Sequence, residues 1–242
     1  MGGTFMKETQ KVDLSVVLPC LNEEKSIVSC IEEIKEICDK AGLNYEIVVA
    51  DNGSTDKSAE LAEKAGARVA HIEKRGYGSA VNGGILAARG EIVVFADSDC
   101  SYPFSKIPQL IQPVQAGQAD MVLGNRLDGF IEEGAMPFLN RYFGTPALSF
   151  MIRLLYPIKV YDCNGGMRAL RKSEYPRLKL RQPGMEYASE MLIRAGQVGL
   201  KYMEIPIGLR CAHAAHVPHL RRWRDGWRHL KAIVLGKFKK YE

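Results

Sequence analysis

The chain has 242 residues, of which 46% are hydrophobic and 25% are charged. This ordinary globular composition excludes wholesale disorder, and the length suffices to bury a full core without disulfide or metal staples. Residues 221–242 hold eight basic and two acidic residues (+6), so that −1 remains for residues 1–220 and the total is +5. The body is therefore not a polycation, and the basic end either faces an anionic surface or is simply solvated.

The first 125 residues alternate between two hydrophobic periods. Short apolar runs predict strands, and segments with helical spacing follow them. The predicted strands are residues 14–18, 46–50, 68–72, 91–96 and 121–124. A helix capped by Asn22 and ended by Gly42 is predicted first, then one capped by Thr55 or Asp56, then residues 79–89 and 103–116. Alternation at this length predicts an α/β fold, with a mostly parallel sheet covered on both faces.

The second half is less regular. We predict a helix over residues 137–156, a loop and strand over 161–170, a helix over 185–195 and a strand over 201–206, and we interpret 210–218 as a mobile loop. In the tail, apolar residues recur on one face of a helix whose other faces are basic. They are Leu220, Trp223, Trp227, Leu230 and Val234. The simplest organisation is one domain over residues 1–218 and a basic amphipathic helix over 219–242.

Cysteine spacing and hydropathy exclude two further classes. No C-x-x-C pair is present, so a zinc ribbon is not expected, and the scattered cysteines suit buried reduced thiols of a cytosolic protein. Residues 1–11 lack the apolar segment of a signal peptide. The most apolar stretch, residues 146–158, is interrupted by Arg153 and is shorter than the roughly 18–20 residues that span a bilayer. We therefore expect a chain that can lie on a membrane without crossing it.

Polar motifs follow three predicted strands, at the edge where open parallel sheets bind ligands. These motifs are Pro-Cys-Leu-Asn-Glu (19–23), Asp-Asn-Gly-Ser-Thr-Asp (51–56) and Asp-Ser-Asp (97–99). Two carboxylates as close as Asp97 and Asp99 repel each other unless a cation compensates. Mg²⁺ and Mn²⁺ are commonly held by one or two carboxylates plus substrate phosphates. The pattern predicts a divalent metal and a nucleoside diphosphate, and a solvated turn is the alternative.

The glycine-rich segment 75–82 is not a dinucleotide fingerprint. A G-x-G-x-x-G motif that begins at Gly76 needs glycine at position 81, where the chain has Val81. The first strand–helix turn contains no glycine, and a Walker A lysine loop is absent as well. NAD-dependent chemistry is therefore not expected.

Five ordered motifs resemble those of inverting family-2 glycosyltransferases, which have a GT-A fold. They are V-V-L-P-C-L-N-E-E, A-D-N-G-S-T-D, R-G-Y-G-S-A-V-N-G-G, D-S-D and G-N-R. Three later segments are similar to those of polyprenyl-phosphate sugar synthases, which include the dolichol-phosphate mannose synthases. They are Y-D-C-N-G-G-M-R-A-L, G-M-E-Y-A-S-E-M and E-I-P-I-G-L-R. The resemblance covers residues 12–235 and implies a Rossmann-like, mostly parallel GT-A sheet with helices on both faces.

The resemblance also implies roles for particular residues. Those expected to bind the nucleotide-sugar are Pro19, Leu21, Glu23, Asp51, Gly76, Tyr77, Gly78, Asn82, Asp97 and Ser98. Glu23 is expected on the ribose and Asp51 on the base, whereas Asp97 and Asp99 are expected to hold the metal. The expected catalytic residues are Asp99, Arg126, Arg141 and Arg210, and the expected acceptor-phosphate ligands are Arg126, Arg141, Thr145 and Arg210.

Two segments depart from the family pattern. Ser101 stands where the family often has Gln or His as a further metal ligand, and residues 211–219 replace a G-x-S-K loop. That segment contains His213, His216 and His219. We interpret it as a mobile loop that closes over phosphate rather than as a zinc site, because Pro218 breaks helical spacing and no acid or cysteine adjoins the histidines.

The activity implied by the resemblance is transfer of a sugar, with inversion, from a nucleotide-sugar such as GDP-mannose or UDP-glucose to a polyprenyl or dolichyl phosphate, with Mg²⁺ or Mn²⁺. Such an enzyme is expected in the cytoplasm, in peripheral contact with the anionic cytosolic face of a membrane. No nucleic-acid partner is expected, and an oligomer or a membrane-subunit partner is left open. Two alternatives remain: transfer to a hydroxyl of a polysaccharide or lipid-linked glycan, and a non-catalytic nucleotide-sugar-binding protein.

Overall fold

The computed structural model describes residues 12–213 and 222–237. Within these ranges the strands are β1 (Leu14–Cys20), β2 (Tyr45–Asp51), β3 (Arg68–His71), β4 (Ile92–Phe95), β5 (Met121–Asn125), β6 (Arg168–Arg171) and β7 (Tyr202–Pro206). They form one sheet in the order β3-β2-β1-β4-β6-β5-β7. Only β6 is antiparallel to its neighbours within this sheet, β4 and β5. The predicted mostly parallel sheet is confirmed.

Helices cover both faces of this sheet, as predicted. They are α1 (Ile27–Lys40), α2 (Ser58–Lys64), α3 (Tyr77–Ala87), α4 (Ile107–Gln115), α5 (Thr145–Leu155), α6 (Tyr187–Gln197) and α7 (Arg222–Gly236). One apolar layer lies between the sheet and α1, α2 and α4, and the other lies against α3, α5, α6 and α7. Strand β1 is buried along its whole length because Val16 faces the first layer and Val17 the second. No described helix is both long enough and apolar enough to cross a membrane.

The predicted caps of the first two helices are wrong. Asn22 lies outside α1 in the left-handed region (φ 59°), and the helix follows Ser26. The Asn22 side-chain oxygen instead accepts a hydrogen bond from the Thr55 N–H (2.8 Å), which ties two strand-end loops together. Lys57 occupies the cap position of α2, although the Asp56 carboxylate accepts the Ser58 N–H (2.9 Å). Asp forms local bonds in turns as readily as at helix starts, and the Asn22 side chain is taken up by a loop distant in sequence, so residue type alone did not fix either boundary.

The predicted continuous helix over residues 137–156 is interrupted. A π-helical segment, Asn140–Gly144, precedes α5. Pro146 lies near the start of α5 and has no N–H to donate to the carbonyl four residues earlier, within the π-helical segment. The hydrogen bonding therefore changes from the π-helical to the α-helical pattern close to this proline.

Helix α7 packs on the body of the protein rather than standing apart from it. Ile233 is fully buried, and Ser189 Oγ lies 2.7 Å from His229 Nδ1. The residues of the predicted apolar face do not form the buried side of α7, because Trp227 is 67% and Val234 40% exposed whereas His229 and Ile233 are buried. Leu220, the Trp223 side chain, His216, His219 and the domain boundary at 218/219 lie outside the described residues.

Candidate functional site

The motifs after β1, β2 and β4 meet at one edge of the sheet, as the sequence predicted. These strands are direct neighbours in the order β2-β1-β4. Ser98 Oγ donates to the Pro19 carbonyl (2.7 Å), and the Asn52 N–H donates to the Cys20 carbonyl (2.9 Å). The three loops are therefore fixed to one another by short hydrogen bonds. Because their residues are far apart in sequence, the parallel sheet creates this site.

Asp51 ends β2 as a buried hydrogen-bond acceptor. Its carboxylate accepts the Gly53 and Ser54 N–H groups (3.3 and 3.0 Å) and lies 3.2 Å from His71 Nδ1. Burial acts to raise the pKa of Asp51, but the hydrogen bonds from Ser54, His71 and Gly53 outweigh it and leave the pKa below its ordinary value. Asp51 is therefore an ionised acceptor in this loop, and its contact with a nucleobase stays a prediction.

Glu23 is buried beside the start of α1. Its N–H donates to Ser58 Oγ (2.8 Å), and its carboxylate accepts a bond from Ser26 Oγ (2.8 Å). The Ser26 hydroxyl thus orients the Glu23 side chain, and the Ser58 hydroxyl holds the Glu23 backbone. Binding of ribose by Glu23 stays a prediction.

The glycine-rich segment is held against a second loop. A Cβ atom on Gly76 would lie 2.2 Å from the Pro183 carbonyl oxygen, and one on Gly78 would lie 2.5 Å from the Gln182 carbonyl oxygen. The Gly76 N–H also donates to Asn52 Oδ1 (2.7 Å). Asn82 accepts the Tyr175 hydroxyl through its Oδ1 atom (2.6 Å). Close packing therefore accounts for the two glycines by itself, and the role of this segment in binding a donor stays a prediction.

A cavity of about 640 Å³ lies beyond the ends of β4 and β5. Its walls come from the strand ends, the segment from Ala135 to Met151, the start of α6 and α7. Its polar side chains include Tyr77, Asp97, Tyr102, Arg126, Asn164 and Arg168. Its apolar side chains include Met136, Leu148, Met151, Leu209, Trp227 and Leu230. The cavity thus combines a charged floor with an apolar mouth.

Arg126 brings a paired guanidinium to this floor. Its Nε and Nη2 atoms each donate to the Asp162 carboxylate at 2.8 Å, and its N–H donates to Asp162 Oδ2 at 2.9 Å. Burial acts to raise the pKa of Asp162, but Arg126 outweighs it, so that the pKa stays below its ordinary value. The third guanidinium nitrogen, Nη1, takes no part in this ion pair. Arg126 can therefore bind an anion without giving up its partner.

Arg168 is a site residue that the sequence reasoning missed. It is 1% exposed and lines the cavity. Its guanidinium donates to the carbonyl oxygens of Gly165 (2.9 Å), Ala188 (2.9 Å) and Cys163 (3.2 Å). Arg168 thus joins the loop before β6 to α6 and places a positive charge in the cavity wall. The only feature of the sequence that could have indicated this residue is its position closely after the Gly165-Gly166 pair.

The two acids of the D-S-D motif have different surroundings. Asp97 lines the cavity. Asp99 Oδ1 accepts the N–H and the hydroxyl of Ser101 (3.0 and 2.5 Å), and the Asp99 carbonyl accepts the His213 N–H (2.8 Å). The residue that departs from the family pattern, Ser101, therefore orients Asp99. Asp97 therefore presents its carboxylate to the cavity, whereas the backbone of Asp99 anchors the segment after β7.

The remaining predicted phosphate ligands lie in three places. Thr145 is buried in the cavity wall, where its Oγ1 accepts the Asn164 amide (3.2 Å). Arg141 lies in the π-helical segment, 5.4 Å from the centre of the Tyr142 ring. Arg210 forms a two-bond ion pair with Glu33 of α1 (2.9 and 3.0 Å) rather than lining the cavity. Their contact with an acceptor phosphate stays a prediction.

The surroundings of Asp97 fit a small divalent cation, and a metal held by Asp97 and Asp99 together stays a prediction. A Cβ atom on Gly166 would lie 3.0 Å from Asp97 Oδ2 and 2.9 Å from the Tyr102 hydroxyl, so glycine leaves room beside the carboxylate. Among the described residues no group of three or more His, Cys, Asp or Glu side chains is placed to hold a metal. One or two carboxylates completed by substrate phosphates and water are the usual arrangement for Mg²⁺. The residues present thus suit a metal that binds together with a diphosphate.

We expect Gly166→Ala to lower turnover by about a hundredfold, because the added methyl group displaces Asp97 or Tyr102 and such misplacement has effects of this size. Steady-state kinetics of the purified variant measure the effect. The matched control is Gly226→Ala, since Gly226 lines the same cavity but an added Cβ there meets nothing within 4 Å. Equal activity of the two variants would show that the space beside Asp97 is not required.

A mostly parallel sheet with a D-x-D motif after β4 and a charged cavity beside it defines a glycosyltransferase with a GT-A fold. The chain belongs to glycosyl transferase family 2, whose family model matches residues 15–177. The predicted family and enzyme class are thereby confirmed.

Two relatives come from Haloferax volcanii. One is the low-salt glycan biosynthesis hexosyltransferase Agl6, 37% identical over 92% of this chain and 53% of its own length. The other is a dolichyl-phosphate hexose transferase, 35% identical over 82% of this chain and 83% of its own length. The chain thus spans about half of the first relative and most of the second.

A solved structure with the same fold is glucosyl-3-phosphoglycerate synthase from Mycobacterium tuberculosis, in complex with Mn²⁺, UDP and glucosyl-3-phosphoglycerate. It is 27% identical, with a TM-score of 0.70 over 93% of this chain and 80% of the other. The likeness confirms the predicted GT-A fold and agrees with the predicted use of a divalent metal.

Proposed function

We propose that this chain transfers a hexose from a nucleotide-sugar to a polyprenyl or dolichyl phosphate, with inversion at the anomeric carbon. The observation that carries the proposal is the cavity, which has Asp97, Arg126 and Arg168 at its floor and apolar side chains toward α5 and α7. An acceptor with an anionic head and an apolar tail matches both parts. The name of the dolichyl-phosphate hexose transferase, which the chain matches over most of both lengths, supports the same acceptor class.

The donor is assigned to the strand-end loops. Asp51 is a fixed, ionised acceptor suited to the N–H groups of a base, and Glu23 is oriented for ribose hydroxyls. Asp97 and Asp99 are the residues that would hold the divalent cation, whose charge would offset the negative charge that develops on the leaving diphosphate. The ordered contact of Ser98 with Pro19 fixes the spacing between these two parts of the donor site.

The acceptor phosphate is assigned to the floor of the cavity. Arg126 Nη1 lies on the side of the guanidinium away from Asp162 and is suited to bind a phosphate oxygen. Thr145 lines the same space, and Arg168 adds positive charge to its wall. A phosphate is already anionic, so the transfer requires positioning and exclusion of water rather than a general base. Attack on the face opposite the leaving diphosphate inverts the anomeric centre.

A donor and acceptor panel tests this proposal. Radiolabelled GDP-mannose and UDP-glucose are each offered with Mn²⁺ to a short polyprenyl phosphate, to phosphoglyceric acid and to a glycan with free hydroxyl groups. We expect label to enter the organic phase with the lipid acceptor only. Product in the aqueous phase alone would contradict the proposal, and binding of donor without any product would favour the non-catalytic alternative.

We further propose that the enzyme docks on an anionic membrane through an aromatic face beside the cavity. This face consists of the exposed side chains Phe138, Leu139, Tyr142, Phe143, Phe150 and Leu154. Arg153 lies on its flank, 5.9 Å from the centre of the Phe150 ring and 4.6 Å from that of Tyr161. Trp227 of α7 lines the cavity and is exposed, and Lys231, four residues further along α7, is exposed as well. Apolar and aromatic side chains with basic neighbours are the composition of an interfacial surface.

Exchange of two aromatic residues for acids tests this docking. We expect Phe143→Glu combined with Phe150→Glu to reduce binding to phosphatidylcholine–phosphatidylserine vesicles by about tenfold or more, because apolar area and charge attraction are both lost. Vesicle flotation of the full chain measures binding. The matched control is Leu86→Glu on α3, since Leu86 and Phe143 are both 61% exposed. An equal loss in the control would show that the effect is one of general charge.

A further inference from the structure

Two thiol groups meet directly behind the D-S-D motif. Cys100 follows Asp99 in the chain, and its Sγ atom lies 3.4 Å from Sγ of Cys30 on α1. Among the six cysteines, Cys20, Cys38 and Cys163 are buried, and Cys211 is exposed. Cys30 is also buried at 1% exposure, whereas Cys100 is partly exposed. The pair therefore joins a thiol that solvent can reach to one that it cannot.

The backbone at Cys100 indicates more than ordinary packing of two small apolar side chains. Cys100 has a φ of 67°, one of three positive values at non-glycine residues within the described ranges. Residues with a Cβ adopt this region at a cost, and Asn or Gly would adopt it more readily. The left-handed turn directs Cys100 toward α1 while the next residue, Ser101, turns back to Asp99.

We infer that Cys30 and Cys100 form a dithiol modification site at which a disulfide oxidant of the glutathione class closes a Cys30–Cys100 bond. The inference goes beyond the proposed transfer reaction, because it concerns covalent chemistry of the chain itself. A disulfide bond is about 2.05 Å long, so the two sulfur atoms need to approach by about 1.4 Å. Cys30 lies within a packed helix, and the movement therefore falls on the loop that contains Cys100.

The chemistry proceeds in two exchanges. The Cys100 thiol loses its proton and attacks oxidised glutathione, which forms a mixed disulfide and releases one glutathione thiol. The Cys30 thiol then loses its proton and attacks the Cys100 sulfur, which forms the Cys30–Cys100 bond and releases the second glutathione. Each released thiolate takes up one proton, so that two protein thiols are oxidised and one glutathione disulfide is reduced to two thiols.

The bond would act on the residues on either side of it. Asp99 precedes Cys100, and the carbonyl of Ser101 accepts the Arg210 N–H (2.8 Å). Glu33, which holds the Arg210 guanidinium, lies on α1 one turn after Cys30. Formation of the disulfide bond therefore pulls the loop that contains Asp99 and Ser101 toward α1, whose Glu33 also binds Arg210. Displacement of a metal-binding carboxylate by about 1 Å is expected to lower activity by about a hundredfold.

Peptide mapping of the full-length chain tests the inference without reference to activity. After incubation with oxidised glutathione, we expect the Cys30 and Cys100 peptides to be joined and the intact mass to fall by two hydrogen atoms. In Cys30→Ala we expect a stable glutathione adduct on Cys100 instead, because the resolving thiol is absent. Cys211→Ser serves as the matched control, and its Cys30–Cys100 bond should form as in the unaltered chain.

Two outcomes would overturn the inference. One is a chain in which exposed Cys211 takes up glutathione while Cys100 stays reduced. The other is a disulfide of Cys100 with any cysteine other than Cys30. The activity readout follows separately: the oxidised enzyme should lose turnover about a hundredfold and regain it with dithiothreitol. Should no glycosyl transfer be found at all, the mapped disulfide still decides the inference, so the two failures remain distinguishable.

Discussion

Asp97→Asn is expected to lower turnover by about three orders of magnitude, because charged groups that stabilise a transition state contribute effects of this size. The asparagine keeps the shape of the side chain in the cavity wall but removes the carboxylate charge on which the proposed metal binding depends. Steady-state sugar transfer measures the loss. The free energy of unfolding, followed by urea denaturation, should stay close to that of the unaltered enzyme.

The matched control for Asp97→Asn is Asp13→Asn. Asp13 is exposed and lies just before β1, at the opposite edge of the same sheet. Metal dependence separates the two variants further. Chelation with EDTA should abolish transfer by the unaltered enzyme and by Asp13→Asn, and added Mn²⁺ should restore both. Near-normal turnover of Asp97→Asn would remove this carboxylate from the mechanism.

Asp99→Asn is expected to be equally inactive, although for two reasons. Its carboxylate is the other proposed metal ligand, and it also accepts both hydrogen bonds from Ser101. An amide that presents its nitrogen to Ser101 would lose these bonds and loosen the loop. Asp97→Asn is therefore the cleaner measure of charge, and Asp99→Asn measures charge together with loop order.

The fold was largely predictable because its elements are local. Apolar runs such as Ile47–Ala50 and the helical spacing of Ile27, Ile31 and Ile34 determine strands and helices within a few residues, and alternation then implies parallel packing. The starts of α1 and α2 were not predictable in this way. The Asn22 side chain bonds to Thr55, more than thirty residues away, and no local pattern records that contact.

The site was predictable only in part, for the same reason. Asp97 was found because its position after a buried strand has a meaning in any open α/β sheet. Arg168 was missed because its role depends on three carbonyl groups, including that of Ala188 on α6, which the fold alone assembles. The contact between Cys30 and Cys100 likewise has no sequence signal, because seventy residues separate them.

Arg126→Ala is expected to lower the free energy of unfolding by about 3–5 kcal/mol, the range for breaking a buried ion pair from one side. The Asp162 side chain is fully buried and the Arg126 side chain is 12% exposed, so the variant leaves a carboxylate in the interior without its guanidinium. Urea denaturation at neutral pH measures the change. Arg126→Met combined with Asp162→Asn should recover part of the stability, because neither charge is then buried alone.

The pH dependence of this loss identifies its cause. In the unaltered enzyme the pKa of Asp162 lies below its ordinary value, so its contribution is fully present above the ordinary carboxyl pKa and is lost as the pH falls. In Arg126→Ala, burial is no longer opposed by Arg126 and raises the pKa of Asp162. Asp162 therefore takes up a proton at a higher pH than in the unaltered enzyme, and the neutral carboxyl group is less costly to bury. The difference in unfolding free energy between the two proteins should therefore shrink as the pH falls from neutral toward the ordinary carboxyl range. A difference that stays constant with pH would mean that lost packing of the arginine side chain, rather than the stranded charge, destabilises the variant.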